Sequence, residues 1–97
     1  MNVVWTRAAL RGLAEIRKFI SENNPENARR FVRSLYESVT SQLSLFPHSG
    51  RRVPELGNTP YREVIYKDYR VMYKVREHDL AILTVRSGYQ LFDESDL

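Results

Sequence analysis

The sequence predicts an α+β fold in the order βααβββ, an N-terminal helical hairpin packed on a small twisted antiparallel sheet. Three observations carry it. Apolar residues recur at three- and four-residue spacing as far as Phe46, and from Tyr61 the period changes to two, with β-branched and aromatic residues dominating. Two polar breaks of hairpin length, Lys67-Asp68 and Glu77-His78-Asp79, then cut that later stretch into pieces the length of strands.

Asn2 to Trp5 is a short β-rich run, and Thr6 stands where a helix N-cap is expected, its hydroxyl able to accept an otherwise unpaired backbone N–H. From Arg7 to about Glu22, Leu10, Leu13, Ile16 and Ile20 form one apolar stripe, with Arg11, Glu15 and Lys18 on the other side. Asn23-Asn24-Pro25 stops this helix and starts the next. Asn24 can cap, and Pro25 suits a first helical turn, where its missing N–H costs nothing. The second helix is expected over Pro25 to Leu45, burying Ala28, Phe31, Val32, Leu35, Val39, Leu43 and Phe46 before Pro47 ends it. His48 to Pro60, with its glycines and prolines, reads as a connecting segment lying over the sheet. Residues 63–66, 71–75 and 80–85 read as three strands of an antiparallel meander, to which the first strand adds an edge.

At 97 residues with 42% apolar content the chain is expected to form one domain, 1–97. It has no cysteine, so neither a disulfide nor a thiolate metal site contributes to its stability. The start Met1-Asn2-Val3-Val4-Trp5-Thr6-Arg7 has no long apolar run, and no later stretch approaches the ~20 apolar residues of a membrane span. A cytoplasmic location without membrane contact is therefore expected. The net charge of +3 and pI near 9.4 lean towards an anionic partner. His48 and His78 lie far apart in sequence with no acidic ligand at helical spacing, so no metal is expected. Ser87 has no histidine and acid near it, which argues against a hydrolase triad.

Trp5-Thr6 with Ala8, Leu13 and Ile16, then Asn24-Pro25, Phe46-Pro47 with Gly50-Arg51, Val53-Pro54-Glu55-Leu56, Tyr61-Arg62-Glu63 and Tyr69-Arg70-Val71-Met72-Tyr73 follow one another along nearly the whole chain. In that order they resemble the ParE branch of the RelE/ParE toxin superfamily of type II toxin–antitoxin systems. The resemblance implies a growth-inhibiting toxin neutralised by a cognate antitoxin protein from the same operon, whose C-terminal segment wraps the toxin. It implies operator DNA contact only through the antitoxin complex, and no cofactor. ParE-like members act on DNA gyrase, whereas RelE-like members cut mRNA in the ribosome, so gyrase is the expected target and the ribosome with its mRNA the alternative. A degenerate member that only binds antitoxin is a third possibility.

A metal-free nuclease must activate a 2′-hydroxyl, stabilise the charge developing on phosphorus and protonate the leaving oxygen. Arg62, Arg70, Arg86 and Tyr89 are the candidates for that chemistry. Two departures weigh against it. RelE-like nucleases resemble one another in a Lys-x-Lys pair before the Tyr-Arg motif, where this chain has Arg62 and then Val64. ParE-like relatives often carry a Val-x-His-Gly-Arg-Arg run, where this chain reads Val85-Arg86-Ser87-Gly88-Tyr89-Gln90, which alters the usual basic C-terminal edge for the gyrase and the nuclease readings alike, while Arg86 and Tyr89 partly restore a nuclease-like pair. Arg70 has a structural alternative, pairing with Glu55 or Glu63, since a guanidinium matches a carboxylate well. Arg51 and Arg62 can likewise fix the loop to the sheet. For contact with the target or the antitoxin the candidates are Arg51, Arg52, Leu13, Ile20 and Tyr73.

Overall fold

A computed structural model describes every residue of the chain except Tyr89, Glu94 and Asp96. The elements run β1 (Val3–Trp5), α1 (Arg7–Ser21), α2 (Pro25–Leu45), β2 (Arg51–Arg52), a 3₁₀ turn (Pro54–Leu56), β3 (Arg62–Tyr66), β4 (Tyr69–Val75) and β5 (Leu80–Ser87). The α+β class and the meander β3-β4-β5 stand as the sequence predicts.

Local chemistry sets the helix boundaries. Thr6 is extended (φ −68°, ψ 164°), and its hydroxyl oxygen accepts from the Ala9 N–H at 3.2 Å. The same hydroxyl donates to the Ile82 carbonyl at 2.8 Å, and the Thr6 N–H donates to that carbonyl at 3.1 Å. One residue thus caps α1 and ties its start to β5. The Asn24 side chain accepts from the Asn27 N–H at 3.1 Å, with Pro25 opening α2.

The sheet has five strands in the order β1-β5-β4-β3-β2 and is mixed. The edge strand β1 runs parallel to β5, Val3 opposite Leu80 and Trp5 opposite Ile82, although both helices and the strands β2 to β4 lie between them in the chain. The two-residue β2, within the expected connecting segment, pairs antiparallel with β3 and closes the other edge. A register shift between Met72 and Tyr73 leaves Leu83 of β5 without an opposite residue, a β-bulge.

Both faces of the sheet are covered. Leu13, Ile16, Leu35, Val39, Leu43, Val64, Val71, Tyr73, Leu80, Ile82 and Val85 form the core between helices and sheet. On the opposite face Val53, Met72 and Phe92 form a second cluster, walled by Leu56 and Tyr61. The Pro54–Leu56 turn and the C-terminal segment supply that cover. Close approach of α1 to the sheet depends on Gly12, where a Cβ would stand 3.1 Å from the Val85 carbonyl oxygen. Two expected core positions are instead exposed: Leu10 at 48% and Phe46 at 63%. Leu10 lies on the margin of the stripe, whose buried centre is Ala9, Gly12, Leu13 and Ile16. Phe46 is the C-cap of α2, where the backbone has already left helical geometry (φ −131°, ψ 75°). Among the described residues no helix is long and apolar enough to cross a membrane.

Candidate functional site

The densest polar constellation lies on the sheet face away from the helices. Arg70 of β4 is its centre, buried with 6% of its side chain exposed. Its Nε and Nη2 meet Glu63 Oε1 at 2.8 and 2.7 Å, and its Nη1 and Nη2 donate to Glu55 Oε2 and Oε1, each at 2.7 Å. Nη1 also donates to the Gln90 carbonyl at 3.0 Å. Glu63 is wholly buried, and its second oxygen accepts from Arg51 Nε at 2.7 Å. The chain of charges Arg51–Glu63–Arg70–Glu55 therefore alternates in sign and saturates each buried member. The Phe92 N–H donates to Glu55 Oε2 at 3.0 Å, while the Phe92 ring lies 4.6 Å from the Arg70 guanidinium and 5.4 Å from that of Arg86.

Hydrogen bonds from the Arg70 guanidinium hold the Glu55 carboxyl at a pKa of about 2; burial opposes this and the Phe92 N–H assists it. Bonding to Glu55, against an opposing contribution from burial and with help from Glu63, pushes the Arg70 pKa above its already high ordinary value. Arg70 is thus a permanently charged strut within an ion-pair network.

The register separates the nuclease candidates. Arg62 stands opposite Tyr73, whose ring lies in the helix-side core, and Arg62 Nη1 donates to the Gly50 carbonyl at 2.8 Å. Arg70 and Arg86 are cross-strand partners on the other face. Arg62 is therefore not brought together with them, and the cation of Arg70 is already bonded to two carboxylates. Tyr89 lies outside the described residues.

The proposed binding residues divide by burial. Arg51 and Arg52 are exposed on β2, Arg52 donating to the Thr59 carbonyl at 2.6 Å. Ile20 is half-buried on α1. Leu13 and Tyr73, by contrast, belong to the helix-side core, Tyr73 fully buried and Leu13 showing only an edge in a groove beside Arg17 and Lys18. Alternation and helical spacing mark apolar faces, and here both residues serve the core. The Tyr73 hydroxyl accepts from the Gly50 N–H at 2.9 Å; burial pushes the phenol pKa up, partly offset by that hydrogen bond.

Beside the network is an open groove of about 480 Å³, walled by Pro54, Ile65 and Leu91, with Arg51 and Lys67 among the charged residues that line it. Ile65 and Leu91 are 55% and 77% exposed. The sequence alone does not single out this groove. The signal available to it was a single outward aliphatic at Ile65, between the cations Arg62 and Lys67.

A two-helix layer on a five-stranded mixed sheet, with an arginine–carboxylate network on the sheet's outer face, defines a small α+β protein. The comparisons agree. Residues 3–92 match the model of the ParE toxin of type II toxin–antitoxin systems, parDE, and the chain belongs to that family. A relative from Sinorhizobium fredii, Y4kP, named as a candidate toxin, is 35% identical over 91 residues, which are 92% of this chain and 90% of the relative. Among solved structures, a chromosomal ParDE system from P. aeruginosa matches the fold with a TM-score of 0.74 at 23% identity, over 90% of this chain and 95% of that one.

Proposed function

We propose that this chain is a toxin that arrests growth by binding DNA gyrase and is neutralised by an antitoxin protein encoded beside it. The observation that carries the choice of target is the state of Arg70. A nuclease centre needs a cation available to a phosphorane, whereas Arg70 is held by Glu55 and Glu63, with Arg62 on the opposite side of the sheet. The exposed features nearby suit contact with a protein instead: the groove with Ile65 and Leu91 on its walls and Arg51 and Lys67 at its margin. An antitoxin that bound only the folded toxin would stabilise it by mass action.

The test is inducible expression in bacteria with and without the adjacent gene, following plasmid supercoiling, the DNA damage response and mRNA integrity in the same cultures. Gyrase inhibition with DNA damage, relieved by the neighbour, is the expected result. Codon-linked mRNA cleavage without DNA damage would move the chain to the ribosome-dependent class. Absence of any growth effect would leave it an antitoxin-binding protein only.

A further inference from the structure

We propose that the outer face of α1 is a contact surface for the phosphate backbone of double-stranded DNA, made by this chain itself and independent of the target proposed above. The charge of the molecule is divided unequally between its layers. Residues 1–45 hold seven lysines and arginines against four glutamates, whereas residues 46–97 hold eight basic and eight acidic side chains. The whole net charge of +3 therefore resides in the part of the chain that contains the helical hairpin.

Within that part, α1 concentrates it. Arg7, Arg11 and Lys18 fall on one helical line, with Ala14 between them and Arg17 beside it, and all five are exposed. None of the four cations has a carboxylate partner among the described residues, whereas Arg33 of α2 is paired with Glu37 at 3.0 Å. Glu15, the single carboxylate of α1, lines a groove that it shares with Arg86 and with Arg11 one turn earlier, but it forms no ion pair with Arg11 among the described residues. Arg7 in the first turn opposes the helix dipole, so helix stability does not account for its charge there.

The stripe extends for about 16 Å at the rise of an α-helix. Phe19, beside Lys18, is exposed but stands about 100° round the helix from it, off the line of cations, so no series of rings follows the stripe to stack on successive unpaired bases, which favours a duplex over a single strand. A convex helix presenting cations also fits the wide major groove of B-form DNA, whereas the deep, narrow groove of an A-form RNA helix does not admit it.

The experiment is fluorescence anisotropy of the full chain with a labelled mixed-sequence DNA duplex, over roughly 50 to 200 mM salt. Neutralising about three phosphates gives a log–log salt slope of about −2.7. Arg11→Glu with Lys18→Glu should weaken binding at least about tenfold at the lowest salt and take the slope to about −0.9 or flatter. Arg11→Gln with Lys18→Gln should flatten the slope similarly without adding carboxylates. The control pair Arg29→Glu with Arg30→Glu changes net charge equally, on exposed positions of α2, and should leave both quantities near those of the parent chain. Circular dichroism of each variant establishes that it is folded. Equal losses in the stripe and control pairs, tighter binding to an RNA duplex or to a single strand, or no measurable DNA binding by the parent chain would each overturn the proposal.

Discussion

Arg70 and Glu55 meet fork to fork, with two N–O distances of 2.7 Å, although 15 residues separate them in sequence and one stands on a strand and the other in a 3₁₀ turn. The turn is thereby fastened to the sheet, and the same guanidinium compensates the wholly buried Glu63. Removing Arg70 leaves that carboxylate facing only Arg51, itself 62% exposed. Arg70→Met should therefore destabilise the chain by about 3–5 kcal/mol in denaturant unfolding. Adding Glu63→Leu should recover a large part of that loss, because the uncompensated buried charge goes with it. No recovery would mean that the network matters through packing and not through charge.

The depressed pKa of Glu55 makes a pH prediction. With a folded value of about 2 against 4.5 in the unfolded chain, Glu55 contributes stability that is fully present above about pH 5 and lost as pH falls through that interval. The melting temperature of the parent chain should fall between pH 5 and pH 2. Glu55→Gln should be less stable at neutral pH and show a shallower fall, because the group that titrates is gone. Parallel melting curves for the two proteins would rule out Glu55 as a contributor.

Tyr73 and Gly50 form a second tertiary lock. Tyr73→Phe leaves the buried Gly50 N–H without an acceptor and should cost about 1–3 kcal/mol. Gly50→Ala should cost more, since its Cβ would stand 2.5 Å from the Glu63 carbonyl oxygen and 2.6 Å from the Tyr73 ring. Chemical denaturation of both variants provides the comparison. A stable Gly50→Ala protein would contradict the packing described for this corner.

How legible these features are in sequence depends on how local their causes are. The helix starts are legible, because Thr6 and Asn24 act on N–H groups three residues away. Leu10 and Phe46 mislead, because periodicity gives the direction of an apolar face and not its width or the point where the helix geometry ends. The parallel pairing of β1 with β5 joins residues some 77 positions apart, and no local pattern encodes strand direction. The Arg70 pairing is half legible: the sequence offers Glu55 or Glu63 as partners, but only the folded sheet and turn bring both to one guanidinium. Arg62 and Arg70 look like members of one basic set until the register places them on opposite faces.

Exposure at Leu10 separates the reading of the fold from the hydrophobic pattern. Leu10→Ser should change stability by no more than about 0.5 kcal/mol, as expected for a surface site. Ile16→Ala, six residues further along and in the buried stripe, should cost about 2–5 kcal/mol. If the two substitutions cost the same, α1 is rotated relative to the sheet from the position described.

Phe92 links the C-terminal segment to the charged face. Its ring is 4% exposed, packs with Val53 and Met72, and lies against the guanidiniums of both Arg70 and Arg86, while its N–H reaches Glu55. Truncation removes the ring and the two cation–π contacts but leaves the backbone donor. Phe92→Ala should cost about 3 kcal/mol, the lower end for a buried aromatic, because the cluster it leaves is small and lies near solvent. Phe92→Leu should cost clearly less, since it refills most of the volume and forfeits only the ring contacts. Hydrogen exchange gives the sharper readout: protection should fall at Phe92 and in the Pro54–Leu56 turn, and persist in α2, which packs on the other side of the sheet, and in the central strand β4, which is bonded to a strand on each side. Loss of protection spread evenly over the chain would mean that the outer cover and the helix-side core unfold as one unit.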